Sequence, residues 1–406
     1  MSFNNGSSAF DAAIELEVDD SNNVYIAGTF QGTIDFDPGP NISSHTSNGF
    51  SDVFILKLDS SGQFINCLTF GGSSIDGLTA FKVDPLTGSI LAGGSFRDTV
   101  DFDPGPLVNN LSTIYSAALF VIKLSNTGNL IFAKTMDANL GSNSVRCIQL
   151  DSLNHFYISG NFRDTLNIDP GASPLLSPNV GSTYIAKYNF SGNFIWVKQI
   201  GGPGSTTNFA LSVSNNNKIY LSGQYTNTVD FDPDSGITNL AALGSTDIFI
   251  ISLDTSGNLN WAKSVGGYNQ DYSYSVVSDP LGFVYLTGNY RLSGDFDPGP
   301  AVYTLSAMGG FNKTFVLKLD SSGNFVAATQ TSGASDDQGE DLILTNSGSV
   351  IIIGTFVSTT DFDTNPNGLY NLTATGSRDA YVWKLNQNTV GFNEYENLPK
   401  IKLISS

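Results

Sequence analysis

The chain of 406 residues is 40% hydrophobic and 12% aromatic, with only 14% of its residues charged; this composition excludes a disordered polypeptide and supplies a large core. Its 18 Lys and Arg stand against 37 Asp and Glu, a formal charge of −19, which disfavours nucleic acid and anionic membrane as partners and suits cations, glycans or protein surfaces. No run approaches the ~20 apolar residues of a membrane span, and Met1-Ser2-Phe3-Asn4-Asn5 carries neither a basic start nor an apolar stretch.

The first repeat shows the pattern of the rest. Residues 13–18 alternate apolar and charged, Asp20-Ser21-Asn22-Asn23 reads as a turn, and residues 24–30 form a β-branched and aromatic run. Next come Asp35-Phe36-Asp37-Pro38-Gly39-Pro40 and a polar loop. A third strand is expected over 52–58, the turn Asp59-Ser60-Ser61-Gly62 follows, and a fourth strand is expected over 64–70. Second strands recur at 90–96, 156–162, 219–225, 284–290 and 350–356, and third strands at 119–124, 184–188, 248–253, 314–319 and 380–385. No segment shows a 3.6-residue apolar period of helical length.

The acidic turn recurs as Asp101-Phe102-Asp103-Pro104-Gly105-Pro106, Asn167-Ile168-Asp169-Pro170-Gly171, Asp230-Phe231-Asp232-Pro233, Asp295-Phe296-Asp297-Pro298-Gly299-Pro300 and Asp361-Phe362-Asp363, at intervals of 63 to 66 residues. A motif at fixed interval belongs first to an architecture. The expectation is an all-β, six-bladed β-propeller of four-stranded antiparallel blades over residues 1–395, with 396–406 a tail or linker. Residues 390–395 are expected to fill the last fourth strand.

In extended backbone alternate side chains share a face, so the two carboxylates of each turn point together while the Phe anchors on the other side. Asp35, Asp37, Asp101, Asp103, Asp169, Asp230, Asp232, Asp295, Asp297, Asp361 and Asp363 are therefore candidate ligands for Ca²⁺, which prefers six to eight hard oxygens. The same residues also suit Asx-turns that bond local backbone N–H groups without a metal. The connections between blades carry Asp11, Asp76, Asp271 and Asp337, with Asn143 and Thr207 in the other two copies, so one rim is expected to gather the negative charge. Arg97, Arg163 and Arg291 precede three of the acidic turns and are candidates for ligand binding or for pairing with neighbouring Asp. Trp196 and Trp261 suit blade packing, Cys67 and Cys147 suit small buried hydrophobes, and His155 suits a solvated turn.

The runs Asn22-Asn23-Val24-Tyr25-Ile26-Ala27-Gly28, Gly282-Phe283-Val284-Tyr285-Leu286-Thr287-Gly288, Lys57-Leu58-Asp59-Ser60-Ser61-Gly62 and Lys318-Leu319-Asp320-Ser321-Ser322-Gly323 resemble the repeats of the bacterial SBBP-type β-propellers. That resemblance implies secreted or surface proteins and carries no catalytic residues. The tail from Glu394 to Leu403 resembles the linker before a type IX secretion sorting domain in Bacteroidetes proteins, which implies export. The function expected is an extracellular or cell-surface binding or adhesion module, a monomer with a glycan or protein ligand, stabilised by Ca²⁺ where the turns bind it. A lyase or glycosidase in a central pocket and a structural spacer are the alternatives. Acids that recur in unit after unit argue for scaffold, because an active site needs one acid and one base in distinct environments.

Overall fold

The computed structural model describes residues 11–138, 143–163, 165–169, 175–177, 181–333, 335–364, 368–388 and 391–394. Among them the fold is all-β, and the one helical piece is the 3₁₀ turn Met308–Gly310. None of its helices is long and apolar enough to cross a membrane.

Six four-stranded antiparallel modules follow one another. The first is made of Ala12–Val18, Val24–Phe30, Asp52–Leu58 and Phe64–Gly72, and the second of Gly77–Val83, Ile90–Phe96, Ala118–Leu124 and Leu130–Ala138. The third comprises Ser144–Leu150, His155–Phe162, Ser182–Asn189 and Phe194–Ile200; the fourth, Thr206–Val213, Lys218–Tyr225, Asp247–Asp254 and Leu259–Gly267. Tyr272–Ser278, Val284–Arg291, Asn312–Leu319 and Phe325–Gln330 make the fifth, and Asp337–Leu344, Ser349–Phe356, Asp379–Asn388 and Gly391–Glu394 the sixth. Gly391–Glu394 pairs with residues 385–388; residues 1–10 and the tail from 395 lie outside the described residues.

The modules fall into two compact halves, residues 1–178 with 183–199 and residues 179–182 with 200–406. Within the first half Gly77–Val83 packs on Ala12–Val18 and Val24–Phe30, and Ser144–Leu150 packs in the same way on the second module. Within the second half Tyr272–Ser278 and then Asp337–Leu344 repeat the arrangement. The apolar side chains between successive sheets form the cores, Phe70, Phe96, Phe102 and Phe120 in the first half and Tyr290, Phe296 and Phe315 in the second.

One glycine per module is dictated by geometry. The first and second strands shift register at a β-bulge in all six copies. Opposite it stand Gly28, Gly94, Gly160, Gly223, Gly288 and Gly354, where a Cβ would lie 1.8 to 2.0 Å from a carbonyl oxygen of the first strand. No side chain fits there, which accounts physically for the glycine closing the Tyr-x-x-Gly runs.

A feature the sequence pattern did not reveal joins the modules. The first residue of each turn ends a short strand, such as Thr99–Asp101, that pairs with Asn110–Ser112 in a small hairpin. The same short strand also adds to the fourth strand of the preceding module, Gly71 opposite Asp101 and Gly72 opposite Val100. The pairing recurs at Asp137 with Asn167, Gly266 with Asp295 and Ser332 with Asp361, and as a bridge from Gly201 to Asp230.

Candidate functional site

The acidic hairpins are built around the anchor the sequence suggested. Phe36, Phe102, Ile168, Phe231, Phe296 and Phe362 are buried. Five of them meet the aromatic ring that ends the second strand edge to face: Phe30–Phe36, Phe96–Phe102, Tyr225–Phe231, Tyr290–Phe296 and Phe356–Phe362 have centroids 5.2 to 5.8 Å apart.

With the ring fixed, the carboxylates turn onto backbone donors. Asp35 Oδ1 accepts from Asp37 N at 3.1 Å and Ser43 N at 2.8 Å, closing both ends of the loop. Asp101, Asp230, Asp295 and Asp361 repeat both bonds, the second from Asn109, Thr238, Tyr303 and Tyr370. Asp37, Asp103 and Asp297 each accept from the glycine two residues on, at 2.7 Å, and Asp232 accepts from Asp234 N. Asp169 instead pairs with Lys134 Nζ at 3.0 Å. Among the described residues no group of three or more His, Cys, Asp or Glu side chains is arranged to hold a metal.

The exposed product of this cap is an aliphatic side chain. Ile42, Val108, Ile237, Val302 and Leu369 immediately precede the residue whose N–H the first Asp accepts, and each is 71 to 80% exposed. The equivalent position of the third copy lies outside the described residues. Sequence reading passed over these residues; a constant offset from the acidic turn, seven residues in four copies and eight in the last, is the signal that marks them.

Arg97, Arg163 and Arg291 are exposed. Each is fixed through its backbone N–H, which donates to Asp76 Oδ1 at 3.2 Å, Asn143 Oδ1 at 3.1 Å and Asp271 Oδ1 at 3.2 Å. The Arg291 guanidinium also donates to Gly310 O at 2.7 Å. Three of the four connection acids are not part of an exposed rim: Asp76, Asp271 and Asp337 are buried, at 0 to 2% exposure, while Asp11 is half-buried. The strand register places Thr206, rather than Thr207, at the fourth copy of this position. His155 differs as well from the solvated residue expected, since its Nδ1 lies 3.0 Å from Asp151 Oδ2. Trp261 packs as expected, its ring beneath Gly323 of the next module and its Nε1 donating to Ser321 O.

Beside the connection acids lies a second buried carboxylate at the start of a third strand. Asp52 faces Asp76, and Asp247 faces Asp271; all four are 0 to 2% exposed. Burial pushes Asp52 and Asp247 up to about 6 and Asp271 up to about 7, and the facing carboxylate adds to the rise at Asp52 and Asp271. Such values suit acid–base work, but burial closes these groups to a substrate.

No known family profile matches the chain. It is similar to an uncharacterized WD repeat-containing protein of Acanthamoeba polyphaga mimivirus, 22% identical over 420 residues, which cover 84% of this chain and 30% of that protein. The chain therefore spans under a third of that relative's length. Among solved structures, a member of the DUF4221 family from Bacteroides vulgatus aligns over 94% of this chain and 95% of its own, at 9% identity and a TM-score of 0.39. The six successive strand modules and the likeness to that WD repeat-containing protein suggest a β-rich repeat protein.

Proposed function

We propose that the chain is a binding module that presents a repeated aliphatic contact on acid-capped hairpins to a protein surface bearing apolar and basic groups. The observation that carries this reading is the set Ile42, Val108, Ile237, Val302 and Leu369, exposed at one equivalent position in five modules. At 71 to 80% exposure these side chains add little to the core, which leaves them available for contact with a partner. Full burial of one such side chain contributes about 1.5–3 kcal/mol, so each contact is weak and several acting together bind well. Aliphatic rather than aromatic tips favour a protein over a glycan. The net charge of −19 favours a basic partner.

Two further elements belong to the reading: the six modules close as an SBBP-like six-bladed propeller, and the protein acts outside the cell or at its surface. The resemblance of the Tyr-x-x-Gly and Lys-Leu-Asp-x-x-Gly runs to those repeats supports the first. Small-angle scattering tests it, since a closed ring and an open array differ in maximum dimension. The test of function is surface plasmon resonance of the purified chain against immobilised basic proteins such as lysozyme and cytochrome c, with a glycan array alongside. Saturable protein binding that falls at least tenfold when the five aliphatic residues become Ser, with the melting temperature unchanged, supports the reading. Binding indifferent to those changes, or to glycans alone, overturns it.

A further inference from the structure

The repeats hold an internal comparison at the two buried positions described above. At the start of the third strand, or one residue inside it in the fifth module, stand Asp52, Ala118, Ser182, Asp247 and Lys313 in the first five modules. The residue it faces at the next connection is Asp76, Asn143, Thr206, Asp271 and Asp337 respectively. Two of these pairs, Ala118 with Asn143 and Ser182 with Thr206, are uncharged. A third, Lys313 with Asp337, is an ion pair with both members buried. The remaining two set an acid against an acid, all four residues being buried.

The polar contacts follow the charges. In the fifth module Lys313 Nζ donates to Asp337 Oδ2 and to Ser335 O, while Asp337 Oδ1 accepts from Thr314 N and Thr331 Oγ1. In the first, Asp76 accepts from Gly72 N at 2.6 Å and Arg97 N at 3.2 Å, and Asp52 Oδ2 accepts from Asn48 N at 2.9 Å. Asp52 Oδ1 is buried with no hydrogen-bond partner. The fourth is the same: Asp271 accepts from Gly267 N and Arg291 N, Asp247 Oδ2 accepts from Leu243 N, and Asp247 Oδ1 is buried without a partner. A Cβ placed on Gly266 would lie 2.8 Å from Asp271 Oδ2 and 3.3 Å from Asp247 Oδ1. Both oxygens therefore flank one small volume.

A buried, unsatisfied carboxylate oxygen demands a donor or a cation. We propose that the pairs Asp52–Asp76 and Asp247–Asp271 each bind one hard divalent cation, at the place where Lys313 sets its ammonium in the fifth module. The charge count selects the valence. Lys313 with Asp337 sums to zero, and two carboxylates reach zero only with a divalent ion. All available ligands are oxygens, which suits Ca²⁺ or Mg²⁺ rather than a transition metal. Asp52 Oδ1 and Asp247 Oδ1 are the ligands this assigns, and the carbonyls of Ser74 and Asn269 correspond to that of Ser335, which receives the Lys313 ammonium. These sites are separate from the aliphatic hairpin tips, so the two proposals stand or fall independently.

The test is isothermal titration of the full chain with Ca²⁺ and with Mg²⁺ after exhaustive EDTA treatment, read beside its melting temperature. Two ions per chain are expected, one in Asp52→Asn or Asp247→Asn, and none in the double variant. Lys313→Asp recreates the acid pair and should add a third ion. The variants Asp35→Asn and Asp101→Asn in the hairpin turns should leave the stoichiometry at two. Stoichiometry unmoved by Asp52→Asn and Asp247→Asn overturns the proposal. So does the absence of any binding together with a metal-independent rise in melting temperature for the double variant, because the pairs would then hold protons.

Discussion

The half-buried acids that begin the hairpin turns and the fully buried acids behind them are the same residue type a short distance apart along the chain, and they behave oppositely. Asp35 or Asp230 sits where backbone N–H groups converge, and Asp101, Asp295 and Asp361 make the same bonds. Asp254 and Asp320, at turns between third and fourth strands, go further. Although desolvation pulls the other way, hydrogen bonds from Asn258 and Asn324 and their neighbours hold these carboxyls below the usual range. Asp247 has one backbone donor and one empty oxygen, and burial lifts it instead. The number of N–H groups reaching a carboxylate, rather than its position in a loop, decides whether it stabilises the fold or requires a partner.

The sharpest way to break this contrast is to leave one buried acid alone. Lys313→Ala strands Asp337 without its ammonium, and urea unfolding should show a loss of about 3–5 kcal/mol. Lower in size is the effect of pH on the chain freed of metal. Between the unfolded carboxyl value near 4 and the raised values of Asp247 and Asp271, about 6 and 7, the folded state holds protons that the unfolded state releases. Stability in EDTA should therefore fall as pH rises from about 4 to 7, and the melting temperature should drop by several degrees. Asp247→Asn should recover much of that drop at pH 8 and change little at pH 4; an unaltered slope would show that other groups control it.

Removing a well-supplied acid costs less. Asp230→Ala frees two N–H groups at the mouth of one hairpin and should cost about 1–2 kcal/mol by urea unfolding. At the bottom of the scale, Val108→Ser lies on a hairpin tip and should move stability by no more than about 0.5 kcal/mol. A larger shift would mean that the tip packs within the fold rather than serving contact with a partner.

The repeat, the strands and the aromatic anchor were legible because each leaves a local mark: alternation, a turn residue, a Phe between two acids. Burial of Asp76 and Asp271 was not, since an acid between two strands reads as solvated and its burial comes from the adjoining module. The pairing was nonetheless written in the chain. Asp52 and Asp76, Asp247 and Asp271, and Lys313 and Asp337 are each 24 residues apart, and their charges change together. Addition of Thr99–Asp101 to the preceding sheet had no such trace, because backbone pairing over two residues asks little of side chains beyond the small pair Gly71-Gly72.

That added strand sets where the molecule can be cut. The sheet built on Ala12–Val18 ends in Asn110–Ser112, yet Gly77–Val83 and Ile90–Phe96, which lie between its parts in the chain, belong to the next sheet. No contiguous segment of one period contains a whole sheet and nothing else. Excision of any internal module would leave its predecessor with a bare edge and its successor with a severed hairpin, so a shortened variant must be spliced between equivalent positions of two modules, never trimmed at a sheet boundary.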